Sequence, residues 1–468
     1  MVVQRYRKPQ VARSIRVTSS KSTLLSLLIG EFVVLCVYEG VFMKKIIKSV
    51  CIKIVLWLSK SYSIYLLISA IVFAFLIVAV MSKQLGFTEV FELSAFSAVL
   101  LESTLITLST LLCKQLANKV EDPSKLNCDY DNLVDLYCDS KGNMLIDDNG
   151  KYIPVIFETS ICDKNIEIND CPSKEYQLPQ IAVQYYEHLL SAHQTSNIYN
   201  NINVRVSEWH ETNSAFVIST GRTTYYNGLV TNRAMDYEIE KGITIRQLYE
   251  CGPYIHKLEH SVLSNHLGFN GFLESEDHFF AFVYRQKNTS IGKRTWGNSV
   301  GACLKSKYAL KDNLLSIEGL ENGFLSEFED EIKIKRQDLN DIGSQLRKII
   351  VISAYRDLVE GGKPQLFVYA KSNLGKNDID TLFKRGTKET KNRIRKSSNS
   401  REKTELEMST DGDRICWISR YDILNNITIL TDRIIHNGKE MLMMPSAVVC
   451  VLMLRDYLSK QIENNVEK

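Results

Sequence analysis

The sequence has no Cys-x-x-Cys pair, no internal repeat and almost no net charge. Each absence removes a class of protein. Its 11 cysteines are scattered along 468 residues, without the ligand spacing of a zinc site or the density of a small disulfide-built domain. Reduced thiols in a cytosolic domain are the expectation. A formal charge of +3 gives no global polyelectrolyte character, so neither duplex DNA nor duplex RNA is an expected partner. The length exceeds one typical domain, and two or three units are expected.

Uncharged apolar runs are present near the start. Residues 63–81 (SIYLLISAIVFAFLIVAVM) carry no charge and are long enough to cross a hydrocarbon core. A second run, 93–113, is interrupted by Glu102, which a helix interface or an aqueous path would shield from lipid. Lys44, Lys45, Lys48, Lys53 and Lys60 precede the first run, Lys83 lies between the two, and Lys114 and Lys119 follow. The excess of basic residues on the outer flanks predicts a transmembrane hairpin over 61–118 with both ends in the cytoplasm. Residues 1–60 form a basic N-terminal segment, read as a leader or an interfacial helix, with Met43 as the favoured start of translation.

Pro123 marks the exit from that region, and 119–180 reads as an irregular linker with a turn at Asp147-Asp148-Asn149-Gly150. Residues 181–468 carry the remaining elements. Helical spacing appears at 181–192, 318–332 and 446–460. Strand-like runs occur at 204–206, 215–219, 223–231, 279–285, 348–355 and 365–370, the last two separated by Gly361-Gly362-Lys363-Pro364. Helices and strands without a βαβ rhythm predict an α+β domain. The basic stretch 387–403 lacks aromatics and is expected to be a solvated, mobile loop.

One acidic constellation stands out. Glu327, Asp330 and Glu331 fall at i, i+3 and i+4, so a helix places all three carboxylates on one face, and Glu318 lies nine residues ahead. Like charges at that spacing repel. A site that gathers them implies a neutralising cation, and Mg2+ is the hard, oxygen-seeking choice.

In order, the stretch reads DNLLSIEGLENGFLSEFEDEIKI over 312–334, and it resembles the Nudix box. Glu318 falls on that pattern's first glutamate, Glu327 on the glutamate of its Arg-Glu pair, and Asp330 and Glu331 on its Glu-Glu pair. Asp312 and Lys333 stand where the pattern has glycines, and Ser326 stands where it has arginine. The resemblance implies metal ligands at Glu327, Asp330, Glu331 and Glu318, with Glu331 catalytic if the site turns over. The same departures put full catalytic geometry in doubt and favour a domain that binds without hydrolysing. A hairpin followed by a divergent Nudix domain, together with the segments at 221–237 and 263–272, resembles the two-transmembrane Nudix effectors of bacterial cyclic-oligonucleotide-based antiphage signalling. That resemblance implies a membrane helical hairpin followed by an α+β Nudix-like domain at the bacterial inner membrane. It further implies a cyclic oligonucleotide as second messenger, homo-oligomerisation and disruption of the lipid bilayer. The alternative is a membrane-tethered, Mg2+-dependent hydrolase of nucleoside diphosphate derivatives.

Arg222, Arg233, Arg285, Lys293, Arg294 and Trp296 are candidate nucleotide contacts, the last three beside the turn 297–301, where basic groups meet phosphate and an aromatic stacks a base. An ordinary β-turn next to a packed tryptophan accounts for the same residues. His256 and His260 are four apart, but HKLEH is not a zinc motif and reads as helix surface.

Overall fold

The computed structural model describes residues 129–466, apart from 194–195, 241, 287–288, 345 and 409–411. After a helical turn (Tyr130–Leu136), β1 (Met144–Ile146) and β2 (Tyr152–Ser160) form a hairpin. β3 (Asn165–Glu175), β4 (Ile202–Glu211) and β5 (Ala215–Thr224) make a three-stranded sheet, and β6 (Glu238–Glu240) with β7 (Ile243–Thr244) a small ribbon. Next come β8 (Gly268–Glu274), β9 (Phe279–Arg285), β10 (Trp296–Gly297) and β11 (Val300–Cys303). A tight pair, β12 (Leu310–Lys311) and β13 (Leu314–Leu315), delivers the chain into α1 (Ile317–Ile332). β14 (Ile349–Asp357), β15 (Lys363–Lys371), α2 (Lys376–Lys396), α3 (Ser400–Met408) and β16 (Gly412–Ser419) follow. The chain closes with β17 (Ile427–Leu430), β18 (Arg433–His436), β19 (Lys439–Leu442) and α4 (Pro445–Val466).

The main sheet runs β1-β2-β14-β15-β8-β9-β10, with β11 added to β8 and β16 to β9. Only the β15–β8 pair in it is parallel. Period-two alternation divides the core. Leu366, Val368 and Ala370 of β15 pack with Leu320, Phe324, Phe328 and Ile332 of α1 on one face. Phe367 and Tyr369 pack with Val448, Val451, Leu454 and Leu458 of α4 on the other. Strand β8 meets β9 at a single pair, Glu274 with Phe280, while β11 takes the rest of its edge. The two strands therefore part, and a cleft opens where they do.

Among the described residues no helix is long and apolar enough to cross a membrane. This corrects the expected fold class and the inner-membrane placement drawn from it: the described chain is an α+β unit of mixed sheets. Its longest helix, α4, spends its apolar side on the sheet, while Arg455 and Lys460 face Asp148 and Asp456. The segments 1–60 and 61–118, with Glu102, lie outside the described residues. Three local expectations also change. Within 144–175 the chain forms β1, β2 and β3 joined by turns rather than an irregular linker, and Ile153 and Val155 of β2 are fully buried in the main sheet. The run 223–231 stops being strand at Thr224, whose side chain accepts from the Asn227 amide and caps a helical turn. Residues 387–403 are mostly helical: Ile379, Phe383 and Thr387 anchor α2 by a buried stripe, and the basic stretch prolongs the same helix.

Candidate functional site

The box helix starts at Ser316, whose hydroxyl accepts from the Gly319 amide. It ends at Lys333, in the left-handed conformation (φ 65°) that helix C-termini usually give to glycine. Gly319 and Gly323 lie one turn apart on it. A Cβ on the first would come within 2.1 Å of the Ala309 carbonyl, and one on the second within 2.2 Å of Leu304 Cδ1. The missing side chains let the segment 304–309 lie flush against the helix. That segment is fixed from behind by β4, where the Val204 amide donates to the Leu304 carbonyl at 3.1 Å.

Lys305 is thereby carried onto the acidic face. Its Nζ stands 2.7 Å and 2.9 Å from the two oxygens of Glu327 and 3.9 Å from Asp330 Oδ2. Tyr308 Oη donates to Asp330 at 3.2 Å, and Glu331 accepts the Gly301 amide at 3.3 Å. Burial pushes the Glu327 carboxyl up while Lys305 pulls it down, leaving it above the ordinary range. Burial acts to lower Lys305, but Glu327 and Asp330 outweigh it and hold the ammonium firmly charged. An ammonium within 3 Å of both oxygens makes the ionised pair the arrangement built here.

Two adjoining open hollows share Arg233, Arg285, Gly301 and Ala302 and form one cleft. Glu327 and Glu331 line its acidic end. At the other end Glu360 is held by Arg233 Nε at 2.9 Å and Lys363 Nζ at 3.0 Å. Burial raises its carboxyl, but Lys363 and Arg233 dominate and hold it well below the usual range. Arg233 also donates to Tyr225 Oη at 3.1 Å and to Ser290. Arg285 runs past Gly297 and Gly301; a Cβ on Gly301 would approach its Nη1 to 3.4 Å. Arg233, Arg285 and Lys363 thus gather at this end, with Glu360 paired to Arg233 and Lys363.

Cys303 lies at the cleft floor. Strand register sets it opposite Gly268, itself opposite Gln365, and glycine leaves room for Lys363 to cross: a Cβ there would meet Lys363 Cε at 3.2 Å. Burial opposes ionisation of the thiol, yet Lys363, His266 and Arg233 together bring it down to about 6. Carboxymethylation of the Cys303 peptide in the full chain, followed by mass spectrometry, is expected to be slow but half-maximal near pH 6. A half-point at the ordinary thiol value of about 8.5 would refute the depressed thiol.

The remaining candidates separate clearly. Trp296 lines the cleft, with its ring held edge-on by Tyr284 and under Arg414 at 5.3 Å. Arg294 is exposed, and neither it nor Lys293 lines the cleft. Arg222 is built into the fold as a fork on Asp170, with bonds of 2.7 and 2.8 Å. Glu318 is exposed in the first turn of α1, more than two turns from Glu327. His256 bonds Glu250 at 3.0 Å, while His260 is exposed. Sequence reasoning missed Lys305, Lys363, Glu360 and Cys303. Lys363 was visible only as part of a turn, and an isolated buried lysine carries no pattern.

Mg2+, implied by the Nudix resemblance, does not fit this arrangement. Its ligands must approach to about 2.1 Å, and the Lys305 ammonium stands beside the Glu327 carboxylate, donating to Oε2 at 2.9 Å and lying 2.7 Å from Oε1. Among the described residues no three His, Cys, Asp or Glu side chains group as a metal site. Neither a known family model nor a curated protein matches the chain.

Proposed function

We propose that residues 129–466 form a Nudix-like module that binds a phosphorylated nucleotide without hydrolysing it. The observation that carries this is the cleft's basic lining, where Arg233, Arg285 and Lys363 come together around the end that holds Glu360. Anionic oxygen is the ligand chemistry that completes such a set, and guanidiniums suit phosphate in particular. Resemblance to the antiphage signalling group favours a cyclic oligonucleotide over a linear diphosphate, with ligand-driven self-association as the response. Such a response requires the ligand to favour one assembly state, since equal affinity for both shifts nothing.

The test is calorimetric titration of the full chain with a panel of cyclic oligonucleotides and linear nucleoside diphosphate derivatives, followed by recovery of the ligand. Binding with the ligand recovered intact is the expected result. Recovery of cleaved ligand would replace this reading with the hydrolase, and absence of binding across the panel would end it.

A further inference from the structure

The acidic face of α1 has a resident cation, and it belongs to the chain. We propose that the Lys305 ammonium permanently occupies the place among Glu327, Asp330 and Glu331 that a divalent ion would take, so that this face works as a metal-independent, protein-neutralised end of the cleft.

Three features show that Lys305 is placed there by the fold rather than resting there by chance. Gly319 and Gly323 remove the side chains that would hold the segment 304–309 off the helix. The Lys305 backbone bridges to Asn203 of β4, which holds its Cα in place. The side chain is largely buried and reaches Glu327, itself only 3% exposed, at hydrogen-bond distance with both oxygens. Elsewhere in the cluster Tyr308 Oη donates to Asp330 and the Gly301 amide donates to Glu331. A divalent ion entering the face would meet the ammonium at contact distance, and like charges repel strongly in so dry a place. Displacing Lys305 would strand its charge in a buried position. The inference concerns the acidic end alone and stands whether or not the cleft binds a nucleotide.

Titration of the full chain with Mn2+, followed by electron paramagnetic resonance of the free ion, tests it. The unsubstituted chain is expected to show no bound Mn2+ that Glu327→Gln removes. In Lys305→Met, Mn2+ affinity is expected to rise about tenfold or more, because one positive charge has left the face, and to fall back when Glu327→Gln is added. A single Mn2+ on the unsubstituted chain that Glu327→Gln abolishes would overturn the proposal, since the lysine would then be yielding to metal. A Lys305→Met protein that folds yet gains no Mn2+ would overturn it too. Should that variant fail to fold, the unsubstituted chain and Glu327→Gln still decide the matter.

Discussion

Arg222→Met is expected to cost about 3–5 kcal/mol of stability, because it leaves Asp170 buried with its charge partner removed. Both side chains are under a tenth exposed. The guanidinium forks onto both carboxylate oxygens and also donates to the Asn313 carbonyl at 2.6 Å. Asp170 in turn receives Thr220 Oγ1 at 2.7 Å and the Leu315 amide at 2.8 Å. The pair therefore clamps the turn that feeds α1. Burial acts to raise the Asp170 carboxyl, but the bonds from Arg222, Leu315 and Thr220 prevail and hold it below its ordinary value. The sign follows. A carboxyl depressed on folding stabilises above its unfolded pKa of about 4, and that contribution is lost as pH falls through the lower folded value. Thermal unfolding against pH is expected to show this acid-side loss in the native chain and not in Arg222→Met. Replacing both partners, Arg222→Met with Asp170→Leu, is expected to recover much of the stability. Equal melting temperatures for the single and double variants would contradict the assignment. Nucleotide affinity, measured well below the melting range, is expected to stay within about twofold, since Arg222 does not line the cleft.

Arg285→Ala is expected to do the reverse. Arg285 lines both hollows, and a charge-assisted bond to phosphate lost there lowers affinity about 10–100-fold. Melting is expected to shift far less than in Arg222→Met. Arg285→Lys is expected to restore only part of the affinity, because an ammonium keeps the charge and loses the planar fork. Glu318→Gln serves as the matched control from the same acidic motif, with unchanged affinity. If Arg285→Ala binds like the native chain, the cationic end is not where phosphate sits.

These two arginines show what could be read from the sequence and what could not. Both appeared as basic residues on or beside strand-like runs, and nothing local told them apart. The partner decides, and Asp170 lies 52 residues from Arg222. The box helix was legible because the spacing of its apolar and acidic residues is a local signal. The paired strands β14 and β15 were legible for the same reason, with Gly361 and Gly362 taking positive φ between them (66° and 75°). The basic stretch 387–403 misled because its helix is anchored upstream, by Ile379 and Phe383, outside the window that composition describes. The carboxylates of the acidic face could be aligned by counting, but their cation could not. Lys305 reaches Glu327 across 22 residues and a close approach that only Gly319 and Gly323 permit.

The last helix has a further consequence. Met444, Ser446 and Ala447 form part of the cleft wall, and α4 supplies much of one face of the main sheet. On a ribosome, the box, the arginines and Lys305 all emerge well before these residues do. A nascent chain halted ahead of Ser446 would hold every charged group of the site and still lack the wall that encloses it. The nucleotide binding proposed above is therefore expected only once the closing helix is in place.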